Sequence, residues 1–207
     1  MDAFAPEFVR TTWVELELED VFGPPPQWID RAGDLVTDGD VNWSTPEFTK
    51  DGTFYHAVPP GRYPVYAGTD RYDLSDTGGP PRYYVNTLFM PLVPLLPADR
   101  LADAQWDDEG YDDGPYFRDY ACLWSVGAER ATLPHWGNKS EAILRIERSL
   151  LSEEALSRRG NWTDDLVDPA SGANVLSFPV WDNTLRGFEA RDADDEILAL
   201  LFVVWSP

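Results

Sequence analysis

Residues 197–205, Ile-Leu-Ala-Leu-Leu-Phe-Val-Val-Trp, are nine apolar residues without a polar interruption, and no other stretch constrains the chain as strongly. Nine residues are too few to cross a bilayer as a helix. An unbroken aliphatic and aromatic run that follows an acidic turn describes a strand covered on both faces. Residues 185–191 lie just before the turn Asp192-Ala193-Asp194-Asp195-Glu196 and are placed to pair antiparallel with that run. Everything else is expected to pack around this terminal strand.

The 207 residues form one expected domain, 1–207, long enough to bury a substantial core. With 43% hydrophobic residues, among them 9 Trp, 9 Tyr and 10 Phe, the chain is not of the disordered class despite a formal net charge of −21. That charge disfavours nucleic-acid phosphate and anionic membrane surfaces as partners. It leaves three explanations: solubility in high salt, a basic partner, or a compositional bias without functional meaning. Cys122 is the only cysteine, so an internal disulfide and a thiolate metal cluster are both excluded. The acidic N-terminal stretch does not resemble a secretion signal and no transmembrane run is present, so a cytoplasmic location is expected. No cofactor is expected.

Val14, Leu16 and Leu18 alternate with glutamates, the period-two mark of a strand with one wet face, ended by Pro24-Pro25-Pro26. Residues 27–52 read as loop with at most a short strand, and 53–58 as a strand. Residues 62–67 and 82–96 form a second long hairpin. Pro64 points to an edge or bulge in its first arm, and the second is kinked or stopped near Pro91 and Pro94. A short helix is expected over 97–106, and the acid- and glycine-rich stretch 106–119 reads as the segment most prone to disorder. Residues 120–126 then form an apolar strand. The clear helical signal is a capping box, Asn138 with Glu141, followed by Ile143, Ile146 and Leu150 on one stripe. It continues to Arg158-Arg159-Gly160 as one helix or as two with a bend near Ser152. Residues 161–172 read as loop and 173–179 as a strand. The fold class is therefore α+β and β-rich: a mostly antiparallel sheet or sandwich with one helical segment near residues 139–159.

Pro60-Gly61-Arg62-Tyr63-Pro64-Val65, followed by Tyr84-Val85-Asn86-Thr87-Leu88-Phe89, resembles the bacterial family known as domain of unknown function 4241. Asn174-Val175-Leu176-Ser177-Phe178, then a turn and an Asp-rich hairpin, carries the same likeness. Trp181-Asp182-Asn183-Thr184 stands where members tend to have a glycine-rich turn. The match spans about a third of the chain and implies a β-rich fold without an established activity.

Chemistry has few places to sit. His56 and His135 are the only histidines, and no Gly-x-Ser-x-Gly elbow, phosphate loop or zinc pattern occurs. Cys122 lies within Tyr-Ala-Cys-Leu-Trp, the setting of a buried, inert thiol. The acidic residues 107–113 do not follow the EF-hand register and read as a solvated loop, so no metal site is expected. Leu133-Pro134-His135-Trp136-Gly137-Asn138 places an imidazole and an indole before a helix N-terminus, where free amides favour an anion. The ordinary reading makes Trp136 a staple and His135 a surface residue. The binding reading assembles His135, Trp136 and Asn138 with Trp181, Asp182 and Asn183.

Three functions are consistent with these residues. The leading one is a non-catalytic protein-interaction module, immunity-like or accessory, that binds a basic macromolecular partner. The second is a small hydrolase or isomerase using a carboxylate pair or His135. The third is a small-ligand-binding protein with an aromatic pocket.

Overall fold

The computed structural model describes residues 9–10, 12–13, 24–46, 57–72, 82–93, 98–108, 116–117, 120–180 and 183–205. Its frame is two antiparallel sheets. The larger has the order β1 (Trp28–Thr37), β3 (Gly61–Tyr72), β4 (Arg82–Pro91), β11 (Ile197–Trp205), β10 (Asn183–Arg191) and β5 (Gln105–Asp108), with β6 (Tyr116–Phe117) also on β10. The smaller has the order β2 (Val41–Ser44), β7 (Tyr120–Ser125), β9 (Ala173–Pro179) and β8 (Thr163–Asp168). Helices α1 (Ala98–Ala102), α2 (Val126–Trp136), α3 (Lys139–Leu150) and α4 (Glu153–Leu156) complete the described elements. The β-rich α+β class holds.

The terminal run is an interior strand, β11, hydrogen-bonded to β4 on one side and β10 on the other. Leu200 and Phe202 face the core between the sheets, while Ala199, Leu201 and Val203 join a second cluster with Val9, Trp13 and Leu101 on the opposite face. Both faces are dry, which is why the run has no polar alternation. Across the sandwich, Trp43 of β2 meets Phe202 edge-on, with ring centroids 5.6 Å apart. The smaller sheet turns its other face to α2 and α3, where Cys122, Trp124 and Val175 pack on Trp136, Ala142 and Ile146.

Several local expectations change. Residues 28–37, within a stretch read as loop with at most one short strand, and 163–168, read as loop, are the edge strands β1 and β8. Both are rich in Asp and lie at sheet borders, so neither shows clean alternation. Pro64 lies in β3 beside Asp34 of β1. The β4 pairing begins only at Tyr66, so its missing N–H falls where β3 has one neighbour. Asp107 and Asp108, read as mobile loop, belong to β5. The helical segment near 139–159 is present as α3 and α4, with Ser152 capping the second, but it is preceded by α2, which was not expected. The buried face of α2 contains Glu129 and Thr132 as well as Ala128 and Trp136, so a search for an apolar stripe passes over it. The expected strand over 14–18 and most of that over 53–58 lie outside the described residues.

Candidate functional site

His135 and Trp136 occupy the last turn of α2 rather than a loop. His135 is exposed, with Nε2 3.6 Å from Asp168 Oδ1 at the end of β8. Asp168 is already engaged by Ser171 Oγ at 2.6 Å and Ala170 N–H at 2.9 Å, which hold it below the usual carboxylate range. Trp136 is buried in the cluster under α3, and the Arg145 guanidinium lies 4.4 Å over its ring. Asn138 caps α3: its side chain accepts from Glu141 N–H at 3.1 Å, and its own N–H donates to Glu141 Oε2 at 3.2 Å. The chain's own groups thus occupy two of the amides offered to an anion, and Asp168 and Glu141 carry negative charge beside the rest. Asn183 opens β10 in the larger sheet, whereas His135, Trp136 and Asn138 stand against the smaller one. Trp181 and Asp182 lie outside the described residues.

Beneath α2 the smaller sheet carries a row of small polar side chains. Ser44, Cys122, Ser177 and Thr163 are opposite one another across its four strands. Cys122 Sγ is 3.5 Å from Ser177 Oγ, and Trp124 Nε1–H donates to Ser44 Oγ at 2.8 Å. Asn42 Nδ2 donates both to Ser44 Oγ and to Glu129 Oε2, each at 3.0 Å. Burial pushes the Glu129 carboxyl above the usual range, while Asn42 and Arg130 pull it back. A carboxyl so raised, linked through Asn42 to a row of hydroxyls and a thiol, has the residue types of a catalytic set. None of these seven residues is more than 5% exposed, however, so a substrate would have to displace α2 to reach them. The arrangement fits a polar layer that docks the helix. Sequence offered no signal for it, since Glu129 is one carboxylate among 37 acidic residues.

The third cluster lies at one end of the larger sheet. The β10–β11 turn is built on Asp192, whose carboxylate accepts from Asp194 N–H and Glu196 N–H at 3.0 Å each. Arg100 of α1 bonds the same carboxylate and, with those amides, holds it below the usual range. Asp194, Asp195 and Glu196 then point outward and are exposed, as is Asp103 at the α1–β5 corner. On the adjoining strands, Glu189 stands opposite Asp107, and Arg191 reaches Glu189 at 2.5 Å, Asp107 at 3.7 Å and Asp195 at 3.3 Å. Arg100 and Arg191 are the basic side chains in this set, and both are bound to carboxylates within it. Among the described residues, carboxylates therefore outnumber arginines at this end.

Among the described residues no group of three or more His, Cys, Asp or Glu could hold a metal ion. No described helix is long and apolar enough to cross a membrane. The chain matches no protein-family model, and it matches no curated protein and no solved structure.

Proposed function

We propose that this protein is a non-catalytic interaction module that receives a basic macromolecular partner at the acidic end formed by the β10–β11 turn and the α1–β5 corner. The observation that carries the reading is the exposed set Asp194, Asp195, Glu196 and Asp103, where carboxylates outnumber the two neighbouring arginines: Arg100 is shared between Asp192 and Glu196, and Arg191 among Glu189, Asp107 and Asp195. Such a surface accelerates encounter with a cationic partner and loses that effect as salt screens it. The Asx-type turn on Asp192 holds the backbone that carries these carboxylates, lowering the ordering cost of binding.

Affinity capture from the source organism, with the wild type and with an Asp194→Asn/Asp195→Asn/Glu196→Gln variant, tests it. A basic polypeptide should be retained by the wild type at about 0.05 M salt, released near 0.3 M, and not retained by the variant. Retention that ignores both salt and the triple change would sink the proposal.

We also propose kinship with the domain of unknown function 4241 family. Its support is that both stretches carrying the likeness lie on strands, β3 with β4, and β9 with the β10–β11 hairpin. A member's structure with a different strand order would remove that support.

A further inference from the structure

Four large apolar side chains are exposed among the described residues, and three of them fall within thirteen positions: Leu144 at 46%, Leu151 at 73% and Leu156 at 53%. Ala142, Ile146 and Leu150 are the buried side of α3, so at 100° per residue Leu144, Glu147, Arg148 and Leu151 lie on the side facing away from the protein. The charge pattern here differs from that of the rest of the molecule. Residues 139–159 contain five basic and four acidic side chains, so the other residues carry a net −22. A second copy of this chain is repelled by most of the surface; the α3–α4 face is where it is not.

We propose that this face is the interface of a two-fold symmetric homodimer, with the two α3 helices packed antiparallel. A two-fold contact sets each surface residue against a different residue of the same patch, so the patch must complement itself. An axis passing between Glu147 and Arg148 does this: Leu144 meets the partner's Leu151, and Glu147 meets the partner's Arg148. Each pairing occurs twice. Among the described residues neither Glu147 nor Arg148 has an ion-pair partner within its own chain, so both are available. Leu156 of α4 is a third exposed leucine, five residues beyond Leu151. The acidic end of the larger sheet belongs to another layer and is not part of this contact.

Sedimentation equilibrium of the full chain is the test, at about 0.05 and about 0.5 M salt. The wild type should approach twice 23.4 kDa, with an association constant that rises roughly tenfold with salt as the like charges of the two copies are screened. Leu151→Glu should weaken association by at least about thirtyfold. Glu147→Arg alone should weaken it by facing arginine with arginine, and Glu147→Arg combined with Arg148→Glu should restore it. All three positions are at the surface, so circular dichroism should show every variant folded. A monomer at both salts, a dimer that tolerates Leu151→Glu, or a double exchange without rescue would each overturn the proposal. So would a monomer that binds neutral lipid vesicles through Leu151, which would assign the strip to a membrane surface.

Discussion

Asn174 on β9 stands in for a missing strand beside Val36: its Oδ1 accepts the Val36 N–H at 2.9 Å, on the open edge of β1. Its Nδ2 donates to Asp34 C=O at 2.8 Å and to Asp164 Oδ1 at 2.7 Å, so one amide ties the edge of the larger sheet to the smaller. Asn174→Ala should cost about 2 kcal/mol, because it leaves a strand N–H and C=O without partners. Asn174→Asp should cost more at neutral pH, where a second carboxylate would face Asp164 and the Asp34 carbonyl. Urea titrations at pH 5 and pH 8 would show that ordering.

Glu189 is buried with Arg191 against it, and Asp107 is directly opposite across β10 and β5. Removing the arginine takes away the cation that faces the buried Glu189 carboxylate and leaves the half-exposed Asp107 carboxylate opposite it. Arg191→Met should therefore destabilise the fold by about 3 kcal/mol. The double change Arg191→Met/Glu189→Leu should recover most of that, since the pair itself offsets its own desolvation only in part. Chemical denaturation of both variants checks this. Equal losses would mean that the packing of the arginine stem, rather than its charge, is what β10 needs.

The hairpin of β10 and β11 and the cap on α3 were legible because their signals are local: an apolar run after an acidic turn, and Asn138 three residues before Glu141. The acidic end was legible only in part. Asp192 to Glu196 are adjacent in sequence, but Asp107, Glu189 and Arg100 join them through strand pairing and through the corner after α1. The edge strands escaped because an edge has little burial to pattern it. Helix α2 escaped because Glu129 and Thr132 occupy core positions where an apolar residue is the default, and Pro134 sits inside it. Buried polar residues draw their meaning from partners such as Asn42, 87 positions away.

Gly160, with φ +88°, carries the chain from α4 back into the space between the sheets. A Cβ there would stand 2.7 Å from Thr69 Cγ2 and 3.2 Å from Val85 Cγ2, both on buried β-strand residues. Strain and overlap act together, so Gly160→Ala should cost about 3 kcal/mol. A thermal-denaturation midpoint within a degree or two of the wild type would show that the 157–162 connection repacks freely.

Because burial raises the folded-state pKa of Glu129, the proton is held more tightly in the native than in the unfolded chain. The stability associated with that proton is fully present below the unfolded value, about 4.3, and is lost as pH rises through the elevated folded one. Glu129→Gln keeps an acceptor for Asn42 and removes the titration. Its stability relative to wild type should therefore increase from pH 4 to pH 8 and level off beyond. A difference independent of pH would place Glu129 in a more solvated setting than its 5% exposure indicates.

The same helix shields Cys122, which is fully buried against Ser177 under α2 and α3. A thiol reagent can reach it only when that layer opens, so the labelling rate reports an opening equilibrium rather than intrinsic thiol reactivity. Native protein should react at least roughly a thousandfold more slowly than protein in denaturant, which corresponds to an opening free energy of about 4 kcal/mol. At pH 8 the ionised Glu129 bears the desolvation cost of its burial under α2, so Glu129→Gln should slow labelling further. At pH values near 5 the two proteins should converge once rates are corrected for thiolate fraction. Fast native labelling at any pH would mean that the polar row of Ser44, Cys122, Ser177 and Thr163 is open to solvent. In that event the catalytic reading of the row would regain its footing.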